Sequence, residues 1–247
     1  MSAETHLHDV RTRLMTVELL RTAKKRYTYR ELSIQTGLPI TVLSRYVKGH
    51  VLPTTNRAKM IWNILDVMIS LQEELRKRVK FDELGYFDNT SIVCDIPLLQ
   101  QAAQYILRKI AGKRITRIIT AAVDGVPLST ITAGAIGVDL VIAKRTKEVG
   151  VREFVEETYI PSDSGMIMAY YIPRGSIKKG DSVLIVDDVI RSGETQRALV
   201  NLIRKARADV AGIFALVSVG KEWKRKFMDI PELPVEIILE VGSPTQR

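Results

Sequence analysis

Residues 183–195 read Val-Leu-Ile-Val-Asp-Asp-Val-Ile-Arg-Ser-Gly-Glu-Thr, and this run constrains the fold more than any other. Four apolar residues in a row suit a strand covered on both faces, as in a parallel sheet. Two carboxylates, Asp187 and Asp188, follow at the carboxyl end of that strand, and a short glycine-bearing loop opens a helix. In open α/β sheets the ligand crevice lies outside the carboxyl ends of the strands. The backbone N–H groups of Arg191, Ser192, Gly193, Glu194 and Thr195, with the hydroxyls of Ser192 and Thr195, suit an anion held at the helix amino terminus. The carboxylates suit two neighbouring hydroxyls. An Asp pair at a strand end also serves as a helix cap or a metal ligand; beside this loop it matches a ribose 5-phosphate.

The flanking sequence alternates in the same way. Spacing predicts a helix at 97–112, a strand at 115–122, a helix at 126–136 and a strand at 138–143. A hairpin over 151–173, turning at Ser162-Asp163-Ser164-Gly165, precedes a strand at 182–187 and a helix at 193–207. Strands at 210–218 and 235–241 complete the pattern. Val/Ile-rich strands alternating with helices define an α/β domain with a parallel sheet over residues 81–247.

The thirteen-residue run resembles the phosphoribosyl-pyrophosphate (PRPP) motif of the type I phosphoribosyltransferase family, and the likeness extends over residues 90–245. It implies that Ala122, Val123, Asp124 and Gly125, after the first strand, receive pyrophosphate. It also implies that Lys144, Arg145 and Lys147 contact pyrophosphate, partly from the partner in a dimer, and that residues 148–166 close over the site. Mg²⁺ enters with PRPP, with Asp187 and Asp188 as candidate protein ligands. Some positions depart from the family pattern. Asp124 stands where orotate enzymes carry Lys or Arg, and it repels pyrophosphate unless a cation lies between them. Val149 stands near the place of a histidine, and Glu153, Glu156 and Glu157 make the closing loop acidic. Arg197 falls where orotate enzymes hold the carboxylate of the base, but its spacing is read in preference as that of a helix-surface arginine.

The first third is different in charge. Residues 1–80 hold 15 Lys/Arg against 7 Asp/Glu, whereas residues 81–247 hold 22 against 21, so the net +9 of the chain is concentrated in one segment. This predicts a separate domain, 1–80, that meets a polyanion, although a solvated basic surface carries the same charge. Leu14, Val17 and Leu20 predict a helix over 11–26. Thr28 and Glu31 form a capping-box pair for a second helix over 29–36, which Gly37 ends. Leu38-Pro39 turns the chain into a third helix over 40–48. Ile61, Ile64, Met68, Leu71 and Leu75 predict one long helix over 57–79, presenting either a core face or a dimer seam. Residues 80–96 read as a linker ending in a short strand.

The stretch Tyr29–Lys48 resembles a helix-turn-helix of the Cro/repressor class. That resemblance places Leu32, Leu38, Leu43 and Tyr46 inside and Ser33 where the two helices approach. Pro39, Ile40, Thr41, Ser44, Arg45 and Lys48 then face the major groove of double-stranded DNA. Arg30 is placed for phosphate contact, with Lys24, Lys25, Arg26, Arg57 and Lys59. A small helical bundle that binds protein or caps the larger domain has the same pattern.

The single cysteine, Cys94, excludes an internal disulfide and reads as a small buried hydrophobe. His6, His8 and His50 lack zinc-ligand spacing, and Trp62 and Trp223 are assigned to packing. No apolar run approaches the ~18 residues of a membrane span, and no secretory pattern opens the chain, so a cytoplasmic protein without membrane contact is expected. Together the two halves resemble archaeal regulators that join these modules. The resemblance implies a homodimeric transcription regulator that reads a DNA operator and senses PRPP or a related nucleotide. The alternatives are an active phosphoribosyltransferase acting on a purine base or orotate, and a scaffold that binds no DNA.

Overall fold

The computed structural model describes residues 3–161 and 165–243, and the expected turn at Ser162-Asp163-Ser164 lies outside them. The chain divides into two compact units, Met1–Glu74 and Leu75–Arg247.

The first unit contains α1 (Ala3–Lys24), α2 (Tyr29–Thr36), α3 (Ile40–Val47) and α4 (Thr55–Met68). A further helix, α5 (Leu71–Arg78), begins in this unit and leads the chain into the second. Helices as short as α2 and α3 are marginal in isolation, so caps and burial must hold them. The Thr28 hydroxyl accepts from the Glu31 N–H at 3.2 Å, and the Thr28 N–H donates to the Glu31 carboxylate at 2.7 Å. Gly37, at φ 66°, ends α2 in the left-handed conformation that the expected turn requires. Ser33 donates through Oγ to the Leu38 carbonyl at 2.6 Å and so ties α2 to that turn. Leu20, Leu32, Leu43, Ile61 and Leu65 are fully buried together with Tyr46 and Trp62. Truncating one of these leucines to alanine costs about 2–5 kcal/mol.

The long helix expected over 57–79 is broken. Ile69 leaves helical geometry at φ −122°, ψ 68°, and its side chain is buried in the core. The buried face of α4 consists of Ala58, Ile61, Trp62 and Leu65, so the apolar repeat serves the core of this unit.

The second unit begins with a small hairpin, β1 (Lys80–Phe81) and β2 (Phe87–Asp88), and one helical turn, α6 (Thr90–Val93). That turn replaces the short strand expected before residue 96; the Asp88 carboxylate accepts from the Thr90 N–H at 2.9 Å and favours it. Cys94, at the end of the turn, is exposed rather than buried. Next come α7 (Ile96–Lys109), β3 (Arg117–Ala121), α8 (Val126–Ile136) and β4 (Asp139–Ala143). A hairpin of β5 (Phe154–Tyr159) and β6 (Met168–Pro173) precedes β7 (Ser182–Ile190) and α9 (Glu194–Lys205). The chain closes with β8 (Asp209–Val219), a 3₁₀ turn (Glu222–Phe227) and β9 (Val235–Val241).

Five strands form one sheet in the order β4-β3-β7-β8-β9, every pairing parallel. Ile119, Ile185 and Ile213 share a core with Leu199, Leu202 and Ile203 of α9 on one face. The alternate residues Ile118, Leu184, Val186 and Phe214 are also buried, as a sheet covered on both faces requires. On that second face Ser129 of α8 donates to the Val186 carbonyl at 3.0 Å, and Tyr105 of α7 packs on Phe214.

Pairing between β3 and β7 stops at Ile119–Ile185, whereas β3 stays with β4 as far as Ala121–Ala143. β7 continues along β8 to Ile190–Ser218, beyond the strand end expected at 187. The two central strands therefore part just before Asp187. This is the point where the strand order reverses, the place at which such sheets take ligands.

Candidate functional site

A cleft of about 620 Å³ opens where β3 and β7 separate. Asp187, Asp188, Arg191, Ser192, Gly193, Glu194 and Thr195 line it from one side, and Ala122, Val123, Asp124 and Gly125 from the other. The structure thus brings together the two segments that the sequence analysis singled out for sugar phosphate and pyrophosphate.

Each side chain is fixed by the strand or turn beneath it. Asp187 is 5% exposed; its carboxylate accepts from the Gln196 side chain at 2.7 Å and from the Asp188 N–H at 3.1 Å. Burial, reinforced by the neighbouring Asp188 charge, pushes the Asp187 carboxyl well above the usual carboxylate range. Asp188 is held from a distant part of the chain, for Asn89 Nδ2 donates to its carboxylate at 2.6 Å and to Asp124 at 3.2 Å. Gly193, at φ 80°, turns the chain from β7 into α9 and lies against Trp223 and Phe227. A β-carbon at Gly193 would lie 3.1 Å from the Trp223 β-carbon, so both backbone and packing favour glycine there.

The basic segment is arranged differently from the expectation. Lys144 pairs with Glu148, and Lys147 pairs with Glu156 at 3.1 Å and lies over the Tyr171 ring. Neither lines the cleft. Arg145, between them, does line it, with its guanidinium 6.0 Å from the centre of the Tyr170 ring. Arg145 stands in a bend just past the end of β4, and of the three cations it alone lines the cleft. Glu153, Glu156 and Glu157 are likewise drawn away from the cleft. Glu153 pairs with Arg174, Glu156 with Lys147, and Glu157 with Lys205. Arg197 makes a two-pronged contact with Asp229, at 2.8 and 2.7 Å, and faces that carboxylate as a structural arginine.

Sequence reasoning missed Phe87, Asn89, Tyr159, Tyr170 and Gln196, all of which line the cleft. Tyr159 and Tyr170 are stacked at 5.3 Å, and the Tyr170 hydroxyl lies 3.3 Å from that of Thr195. Gln196 directly follows the motif and was accessible to a longer reading of it. Asn89 has no signal in its own neighbourhood.

In the first unit Arg30, Pro39, Ile40, Thr41, Arg45 and Lys48 are exposed and Ser44 is half-buried. Leu32, Leu43 and Tyr46 are buried, with Leu38 packed against them. Arg26 is paired with Glu74, and Arg57 donates to the Tyr46 hydroxyl at 3.0 Å. Among the described residues no group of three or more His, Cys, Asp and Glu side chains is placed to hold a metal ion. Among the same residues, no helix is long and apolar enough to cross a membrane.

A parallel sheet of order 4-3-7-8-9, with an acidic pair and a glycine-bearing loop at its switch point, defines a phosphoribosyltransferase-like α/β protein. Residues 95–243 match the phosphoribosyl transferase domain, and the chain belongs to that family. It is similar to a protein of Streptococcus pneumoniae named probable purine biosynthesis transcriptional regulator PurR, 27% identical over 150 residues. That match covers 60% of this chain and 54% of the regulator, so the chain spans about half the length of this relative. The hypoxanthine/guanine phosphoribosyltransferase of Methanotorris igneus is 32% identical over 160 residues, covering 61% of this chain and 83% of that enzyme. The crystal structure of adenine phosphoribosyltransferase from Rhodothermus marinus shares the fold, with a TM-score of 0.62 at 22% identity. It covers 70% of this chain and 99% of that one.

Proposed function

We propose that the protein is a DNA-binding transcription regulator, its phosphoribosyltransferase-fold unit binding PRPP or a related nucleotide and thereby modulating operator binding. The observation that carries this reading is the exposed row Pro39, Ile40, Thr41, Arg45 and Lys48 on α3. It stands in a basic unit of the same chain as the phosphoribosyl cleft. In this reading α2 and α3 are a helix-turn-helix of the Cro/repressor type, as in archaeal regulators of this build. The first unit forms the reader and the second the sensor, the boundary falling before Lys80, which pairs in the hairpin of the second unit. The likeness to a purine biosynthesis regulator supports the same assignment.

Within the cleft, Asp187 and Asp188 take the ribose hydroxyls. The 191–195 loop takes the 5-phosphate, and residues 122–125 with Arg145 meet the pyrophosphate end. The Asp188 and Asp124 carboxylates both converge on the Asn89 amide, and such hard oxygen donors fit a Mg²⁺ that retains water and ligand oxygens. Asp187 and Asp188 would hold that ion, with Asp124 brought beside Asp188 by the shared Asn89 amide, and it would supply charge neutralisation between Asp124 and a bound pyrophosphate. A homodimer presents two α3 helices to half-sites about 34 Å apart, and hence to a near-palindromic operator. Linkage requires that the ligand and DNA change one another's affinity by the same factor.

Gel shifts of genomic fragments, with and without PRPP and Mg²⁺, test this reading. The expected result is a salt-sensitive complex whose affinity changes with PRPP. Absence of any fragment bound by the full chain overturns it.

A second reading, an active phosphoribosyltransferase, is favoured by the convergence of the 122–125 and 187–195 segments on one cleft and by the similarity to a hypoxanthine/guanine enzyme. Pyrophosphate release from PRPP with purine bases or orotate would establish it.

A further inference from the structure

Glu194 is the first residue of α9 and stands inside the loop assigned to the phosphate. Its side chain is 11% exposed and lines the cleft. One carboxylate oxygen accepts from the Ser192 hydroxyl at 3.1 Å; the other lies 3.3 Å from the Lys226 ammonium. Ser192 is one of the two hydroxyls that the phosphate reading assigns to the anion. Gly193, the residue before α9, has no side chain with which to cap the leading N–H groups of the helix. A carboxylate in the first turn interacts favourably with that positive end, as does a phosphate. Both anions draw on the same donors and the same dipole.

We propose that Glu194 is an internal competitor of the ligand's phosphate group, an affinity-setting residue that weakens phosphoribosyl binding. Lys226 sets how strongly it competes. Phosphate entry exchanges the Ser192–Glu194 hydrogen bond for a Ser192–phosphate one and brings two anions close in a site of limited solvent access. Lys226 partly neutralises the carboxylate and so makes that approach tolerable. The consequence is a sensor tuned to high ligand concentration. This inference rests on the phosphoribosyl reading of the cleft.

Titration calorimetry of the full chain with ribose 5-phosphate, and with PRPP in Mg²⁺, tests it. Glu194→Ala is expected to bind both ligands about tenfold more tightly, and Glu194→Gln to fall between it and the wild type. Lys226→Ala is expected to bind more weakly. A purely structural role for the Glu194–Lys226 pair predicts otherwise: both alanine variants lose thermal stability and neither gains affinity. Measuring the thermal midpoint alongside affinity separates the two. Affinity equal to or weaker than wild type in folded Glu194→Ala and Glu194→Gln, with the wild type binding, overturns this inference alone. No binding by the wild type or by any variant overturns the phosphoribosyl reading and this inference with it.

Discussion

Gly125 and Asp187 are in such close contact that a β-carbon on the glycine would lie 2.3 Å from the Asp187 carboxylate, and equally 2.3 Å from the Thr120 hydroxyl oxygen. The Gly125 backbone is ordinary, at φ −71°, ψ −17°, so only space forbids a side chain. Gly125→Ala is therefore expected to destabilise by about 1–3 kcal/mol, through overpacking alone. It should also displace the Asp187 carboxylate and abolish PRPP binding. Urea unfolding and calorimetry on the same preparation check both effects.

The two candidate interfaces lie in separate units, which predicts separable losses. Arg45→Ala, on the exposed face of α3, is expected to lower operator discrimination by about tenfold, the cost of one lost side-chain contact to a base. PRPP binding should be unchanged. Asp188→Ala is expected to remove PRPP binding and the PRPP response while leaving basal DNA affinity intact. Gel shifts and calorimetry on both variants check this. Equal damage to both functions in two folded variants would contradict the division.

Tyr159 is stacked on Tyr170 at the wall of the cleft, and burial, followed by hydrogen bonding to Tyr170, pushes its hydroxyl up from 10.0 to about 12. A group whose pKa rises on folding adds stability below its unfolded value, and that contribution is lost as pH climbs through the folded one. The stabilisation from Tyr159 is thus complete below pH 10 and disappears towards pH 12. Ultraviolet titration of phenolate should reveal late-ionising tyrosines, one of which disappears in Tyr159→Phe while Tyr105, raised by burial, remains.

Arg197 holds the Asp229 carboxyl below its ordinary value by hydrogen bonding. Here the sign is opposite: the stabilisation is present above the usual Asp pKa and is lost on acidification through the lowered one. Arg197→Ala should lower the thermal midpoint at neutral pH and weaken the acid dependence of stability, with PRPP affinity unchanged. A loss of ligand affinity would restore to Arg197 the base-binding place that its spacing also allowed.

The sheet could be read from the sequence because β3, β7 and β8 are buried on both faces and must be apolar almost throughout. The twelve residues of the 122–125 loop and the 183–195 motif that line the cleft were legible for a related reason: glycine at 125 and 193 and carboxylates at 187 and 188 are local features of turns at strand ends. Contacts between distant segments leave no such trace. Asn89 reaches Asp188 across 99 positions, and nothing periodic around Asn89 points there. Arg145 could not be separated from Lys144 and Lys147, because it lies in a bend beyond the end of β4, where strand alternation no longer decides which way a side chain faces. The apolar spacing through Met68 and Leu71 stayed helical although burial of Ile69 interrupts the helix between them.

The wedge of Trp223 against Gly193 has a practical corollary. The chain holds two tryptophans, Trp62 in the helical unit and Trp223 behind the anion loop, each packed in the interior of its own unit. Each unit thus carries one indole, which can be excited selectively at the red edge of the tyrosine absorption. With Trp62→Phe, the emission of the remaining indole becomes an optical gauge of events at the loop, needing no attached dye.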